Sequence, residues 1–159
     1  MEILLQHCKD CPKRALEPGT VLLTEGERAG KLFVLADGVL EVFRDEVEIS
    51  VVDEPGAVFG EMSVLLDAPH TASVRTLTAA VVHVVEDPQA FLAANPAIAV
   101  PLATLLARRL QNVTNYLVDL KQQFRDQDGH LGMVDEVLES LANEQGDRFI
   151  PAADLPAEP

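Results

Sequence analysis

The feature that most constrains this chain is a change of period near Glu86. Before it, short β-branched runs are separated by turn residues, and after it apolar residues recur every three to four positions. The runs are Val21–Thr24, Lys31–Leu35, Val39–Phe43, Val47–Val51, Ala72–Thr76 and Ala80–Val85. Glu25-Gly26, Asp37-Gly38 and Pro55-Gly56 punctuate them, and Asp-Gly suits a turn with positive φ. No long helix alternates with these strands, so the expectation is a sandwich or closed roll and not a doubly wound sheet. Phe59–Leu66 interrupts the strands as one short helix with Gly60 at its mouth, an arrangement that turns backbone N–H groups toward an anion. The same segment also serves as a plain connection between strands.

After Glu86, Asp87-Pro88 reads as an N-cap and first helical residue, opening a helix to about Ala94. Asn95-Pro96 reads as a second start, and Pro101 predicts a kink or restart. Beyond it Leu106, Leu110, Val113, Leu117, Leu120 and Phe124 are spaced 4, 3, 4, 3, 4. That is a heptad seam flanked by polar residues, the pattern of a homodimer contact through 106–124, with packing across the roll as the plainer alternative. A last helix is expected from Leu131 to about Glu144, with Leu131, Val134, Leu138 and Leu141 on one face. Three prolines after Ile150 read as a flexible tail.

Charge narrows the functions. Twelve Lys and Arg face 26 Asp and Glu, a formal net charge of −14. Such a chain lacks the cations that neutralise phosphates, which argues against direct DNA binding and against an anionic membrane surface. No run approaches the roughly 18 apolar residues of a spanning helix. The start, Met1–His7, lacks a secretory pattern, and two cysteines suit a reducing compartment, so the expected location is cytoplasmic.

The stretches Gly30–Val42 and, above all, Pro55–Val74 resemble the cyclic-nucleotide-binding domain of the bacterial catabolite activators and of the regulatory subunit of the cyclic-AMP-dependent protein kinase. Pro55–Val74 is similar to the family's phosphate-binding cassette, and Leu105–Gln111 to its dimerisation helix. The resemblance implies a mainly β fold: a β-roll (jelly-roll-like, a double-stranded β-helix) with a short cassette helix, then a long dimerisation helix and a further short helix. It places the roll, with N-terminal and B helices, at 1–95, the long helix at 96–127, an acidic helix at 128–149 and a tail at 150–159. It also implies a ligand, cyclic AMP more readily than cyclic GMP, with no further cofactor. Gly60 and the amides around Glu61, Met62 and Ser63 would meet the cyclic phosphate, and Glu61 would accept from the ribose 2′-hydroxyl. Thr71 would add a hydroxyl and Ala72 an amide. Asn112 and Thr114 of the long helix would approach the base, ahead of Asn115.

Two departures matter. His70 stands where the family usually has arginine, whose guanidinium forks onto the phosphate. Histidine is charged only part of the time near neutral pH, so binding is expected to be weaker or pH-dependent, or the pocket to serve another ligand or none. A protonated His70 would donate to the phosphate; a capping role after Pro69 is the plainer alternative. The family's activators also carry a helix-turn-helix, whereas the residues after Phe124 here are acidic. The reading is therefore a sensor that signals to an unknown protein partner by helix repositioning. The alternative is a degenerate fold acting as a ligand-independent dimeric interaction protein.

Nothing points to an enzyme: there is no G-x-S-x-G, no phosphate loop and no H-E-x-x-H. Cys8-x-x-Cys11 beside His7 permits a thiol or metal sensor, but a structural zinc site wants four ligands, so no metal is assigned. His83, between two valines, is expected to face solvent.

Overall fold

A computed structural model describes residues 2–123 and 131–143 of the chain. Eight strands and five helices follow one another: α1 (Glu2–His7), β1 (Lys13–Leu16), β2 (Val21–Leu23), β3 (Leu32–Asp37), β4 (Leu40–Arg44), β5 (Val47–Val52), β6 (Val58–Phe59), α2 (Glu61–Leu66), β7 (Ser73–Thr76), β8 (Ala80–Val85), α3 (Pro88–Ala94), α4 (Ala99–Gln123) and α5 (Leu131–Asn143). A 3₁₀ turn at Pro96–Ile98 leads into α4. The strands form two four-stranded antiparallel sheets, ordered β1-β8-β3-β6 and β2-β7-β4-β5. This is the expected β-roll, with a short helix inside it and a long and a shorter helix after it.

The core lies between the sheets. Leu16, Leu23, Phe33, Leu35, Leu40, Val74, Val82 and Val84 form one buried cluster. Successive residues of a strand face opposite sides, so Phe33 and Leu35 of β3 point into that cluster while Leu32 and Val34 point the other way. These too are buried, with Leu4 and Cys8 of the N-terminal segment, and α1 packs on β3. A sheet covered on both faces accounts for the continuous apolar runs in β3 and β8. It also corrects the expectation for His83. That residue is 4% exposed, its Nδ1 lies 3.4 Å from the Cys11 carbonyl, and the face on which it sits is covered rather than solvated.

Gly38 shows how tightly the roll closes. It has φ +102, and a Cβ there would lie 2.6 Å from the Ala79 carbonyl oxygen and the Ala80 Cα. Thr76 is the polar rivet of the second sheet. It is 1% exposed, its hydroxyl donates to the Glu17 carbonyl at 2.6 Å, and it accepts the Thr20 N–H at 2.9 Å. Thr76→Val keeps the shape and strips both bonds from a buried side chain. It should destabilise the fold by about 1–3 kcal/mol, read as a lower urea midpoint at an unchanged slope.

Pro101 does not kink the long helix. The restart falls earlier, at Ala99, so Pro101 occupies the first turn, where an N–H has no intrahelical acceptor to lose. The chain divides into two compact units, 1–103 and 104–159. Within the second, α4 exposes Leu110, Val113, Tyr116 and Val118, while Leu106, Leu117 and Leu120 are half-buried. Lys121 pairs with Asp135. Phe124, the expected end of the seam, lies outside the described residues, as do His130, the acidic residues at 126 and 128, and the tail at 150–159.

Candidate functional site

The short helix begins two residues later than its sequence suggests, because Val58-Phe59 is a strand that pairs with β3. Gly60 is the hinge between them. It caps α2 at φ 87 and ψ −1, a left-handed conformation that costs any other L-residue energy. A Cβ at Gly60 would lie 2.7 Å from the Lys31 carbonyl oxygen, so space as well as conformation demands glycine. The first closure of the helix runs from the Val64 N–H to the Gly60 carbonyl at 3.2 Å. By helix geometry the amides before it, at Glu61, Met62 and Ser63, aim out of the mouth.

The side chains there divide their tasks. Glu61 is buried, at 4% exposure, and stands in the first turn, where a carboxylate suits the helix end. The Ser63 hydroxyl donates to the Ala68 carbonyl at 2.5 Å, so the side chain closes the far end of the helix and leaves its amide for the mouth. Asp67 ends the helix in the left-handed region at φ 47. Met62 is exposed, Thr71 sits exposed in a bend, and Ala72 is half-buried before β7.

His70 holds the exit from the helix to the loop between β2 and β3. Its backbone N–H donates to the Glu27 carbonyl at 2.8 Å, and its carbonyl accepts the Gly26 N–H at 2.9 Å. Its ring Nε2 accepts the Ala29 N–H at 3.1 Å. A ring nitrogen that accepts carries no proton, so the geometry assigns the neutral Nδ1–H tautomer. Burial pulls the imidazole below its ordinary value, while the carboxylates of Glu27 and Glu61 pull it upward less strongly. Arg28 of the same loop donates to Asp67 at 2.8 Å, and the Glu25 N–H donates to the Ser73 hydroxyl at 2.9 Å. The loop thus clasps the segment that follows α2, from Asp67 to Ser73.

This clasp carries a pH dependence with a definite sign. A histidine whose folded value is depressed contributes stability that is present above its unfolded value, about 6.5, and lost as pH falls through the folded value. Relative to wild type, His70→Gln should therefore lose less stability between neutral and mildly acidic pH. Urea midpoints of both proteins across that window test this; parallel curves would mean that the His70 ring does not titrate in the fold.

The sequence-predicted residues fall into two groups. Gly60, Glu61, Met62, Ser63, His70, Thr71 and Ala72 lie together on α2 and the short segment after it. Asn112 and Thr114 lie on α4 in the second unit. Asn112 is exposed, and the Thr114 hydroxyl donates to the Leu110 carbonyl at 2.9 Å. Sequence reasoning missed Glu27, Arg28 and Ala29, which meet the cassette across 39 to 43 residues of chain. It also missed the pairing of buried Glu41 with Arg75 at 2.5 Å, beneath Arg75's stacking on Phe43. Among the described residues no three His, Cys, Asp or Glu side chains gather as could hold a metal ion.

A cleft of about 390 Å³ opens beside the cassette, between Arg28, Asp67 and the residues around Glu86 and Asp87. Its three carboxylates make it a poor receptacle for a phosphate, and Arg28 is already paired with one of them. The glycine-capped mouth of α2 carries none of these three carboxylates, Asp67 standing at the far end of that helix.

Comparisons with known proteins agree with this fold. A model of the cyclic nucleotide-binding domain matches residues 13–93, about half of the chain. The chain is 30% identical over 108 residues to the "CRP-like cAMP-activated global transcriptional regulator" of Mycobacterium tuberculosis, covering 64% of this chain and 48% of that protein. It is 37% identical over 65 residues to "cGMP-dependent protein kinase 2" of Homo sapiens, covering 41% of this chain and 8% of the kinase. Among solved structures it is similar to the Thermus thermophilus catabolite activator protein, with a TM-score of 0.65 and 27% identity, over 76% of this chain and 59% of that one. The chain spans less than half the length of these two curated relatives.

Proposed function

The chain belongs to the cyclic nucleotide-binding domain family, and from that premise we propose that it takes up a cyclic mononucleotide at the cassette, cyclic AMP in preference to cyclic GMP, and signals to a protein partner through α4. The observation that carries this reading is that the family match runs through the whole cassette, including Gly60 in its left-handed pose. The amides of Glu61, Met62 and Ser63 surround the phosphate, and the helix end adds partial positive charge. The Glu61 carboxylate accepts from the ribose, and Thr71 and Ala72 complete the rim. Cyclic AMP is favoured because the likeness to a regulator named for it extends over 108 residues, against 65 for the cyclic-GMP-dependent kinase.

Signalling in this account is a population shift: ligand favours one arrangement of cassette and long helix over another. The half-exposed apolar stripe on α4 supports a homodimer through 106–124. The function is regulatory and non-enzymatic, and the location is cytoplasmic. Among the described residues no single helix is long and apolar enough to cross a membrane.

A second reading is supported by His70 itself. With Nε2 held by Ala29 and Glu27 and Glu61 nearby, the cassette meets a phosphate without a guanidinium. A dimeric interaction protein with a silent pocket fits that picture. Titration calorimetry with cyclic AMP and cyclic GMP separates the two. Saturable heat, stronger for cyclic AMP, is expected; no heat at millimolar ligand with folded protein rejects nucleotide sensing.

A further inference from the structure

The connection between α1 and β1 carries chemistry that the nucleotide reading does not use. Cys8 ends the N-terminal helical segment, its N–H donating to the Leu4 carbonyl at 3.0 Å. The chain then turns, and the Cys11 N–H donates back to the Cys8 carbonyl at 2.9 Å. That bond joins the first and fourth residues of a turn, whose Cα atoms lie within about 7 Å of each other. A disulfide needs about 4.4–6.8 Å, so the backbone already holds the two cysteines at bridging range. Their side chains influence each other as well, Cys11 being a neighbour that raises the Cys8 thiol.

We propose that Cys8 and Cys11 are a redox modification site that closes reversibly to an intramolecular disulfide on reaction with a peroxide. The turn is braced for this on its far side. The Pro12 carbonyl accepts the Val84 N–H at 2.8 Å, and His83 Nδ1 lies 3.4 Å from the Cys11 carbonyl. Both contacts tie the turn to β8, so closing the bridge needs little movement.

The two thiols have unequal roles. Cys11 is partly exposed and meets the oxidant, whereas Cys8 is 0% exposed. Burial first, then the neighbouring Cys11, push the Cys8 thiol up to about 12, so at rest it is protonated and unreactive. The Cys11 thiolate attacks one oxygen of hydrogen peroxide and releases hydroxide, which takes a proton to become water; Cys11 is left as a sulfenic acid. The Cys8 sulfur then attacks the Cys11 sulfur, and the displaced hydroxyl leaves as water with the Cys8 proton. Two thiols and one peroxide become one disulfide and two waters, and a dithiol reductant reverses the change.

The site shares no residue with the cassette, so it stands independently of nucleotide binding. The test treats the folded full chain with a modest excess of hydrogen peroxide, traps remaining thiols, and maps peptides without reduction. The expected product has lost about 2 Da, holds both cysteines in one cross-linked peptide, and recovers both thiols with dithiothreitol. In Cys11→Ser the buried Cys8 should stay reduced at the same dose. In Cys8→Ala, Cys11 should pass on to the sulfinic acid, a gain of about 32 Da. Wild-type protein in which Cys11 over-oxidises while Cys8 remains a thiol, or in which both thiols persist, would overturn the proposal.

Discussion

Gly60→Ala is expected to weaken cyclic-nucleotide binding about a hundredfold or more while the roll remains folded. Two causes act together. The left-handed φ of 87 costs an alanine about 1–2 kcal/mol. The new Cβ would also stand 2.7 Å from the Lys31 carbonyl oxygen, a backbone atom at the entrance to β3 that has little freedom to retreat. The least costly relief rotates the first turn of α2, and the amides at the helix mouth turn with it. Hydrogen bonds to a charged group are worth about 1.5–3 kcal/mol each, so misdirecting two of them loses two or more powers of ten. Titration calorimetry measures the loss, and the urea midpoint shows whether the variant is folded. A folded variant that binds as tightly as wild type would mean that the ligand does not rely on this helix mouth.

His70→Arg is expected to act in the opposite direction and tighten binding by about tenfold or more. The guanidinium supplies a charge-assisted fork where the imidazole supplies a neutral ring. Glu27 and Glu61 favour positive charge at this position, against the opposing effect of burial. The cost falls on the apo protein: the Ala29 N–H loses its Nε2 acceptor, and the unliganded fold should be less stable by about 1–2 kcal/mol. Tighter binding and lower apo stability together identify His70 as the residue that exchanges phosphate affinity for loop order. Unchanged affinity would place His70 away from the phosphate.

Much of this was legible in the sequence, for identifiable reasons. Turn residues and β-branched composition revealed β4 and β5, whose apolar runs are interrupted by charged residues. They revealed less where the strand is very short. Val58-Phe59 pairs with β3 through two residues and reads as the start of a helix until its partner is known. Lys13–Leu16 pairs with β8, yet three of its four residues are exposed, so its composition resembles a loop. His83 was misplaced for a related reason: alternation shows which face a residue is on, but not that α1 and its exit turn cover that face.

The cassette was the most readable part, since glycine at a helix mouth states a backbone requirement directly. What surrounds it was not. Ala29 meets His70 across 41 residues, and Arg28 meets Asp67 across 39, through residues with no motif of their own. Glu41 interrupts an apolar strand and looks solvent-facing, yet it is buried under the Arg75 and Phe43 stack. Such pairs arise from sheet register, here Glu41 opposite Arg75, and register is fixed only when the sheet closes.

The central claim is that main-chain amides at the start of α2, helped by Glu61 and without an arginine, hold a cyclic phosphate. The most direct measurement follows the amide proton and nitrogen signals of Glu61, Met62, Ser63, Thr71 and Ala72 by nuclear magnetic resonance as cyclic AMP is added. The account predicts large, saturable shifts centred on these five residues, reduced in Gly60→Ala. A folded protein whose cassette signals stay in place at millimolar cyclic AMP and cyclic GMP would contradict it.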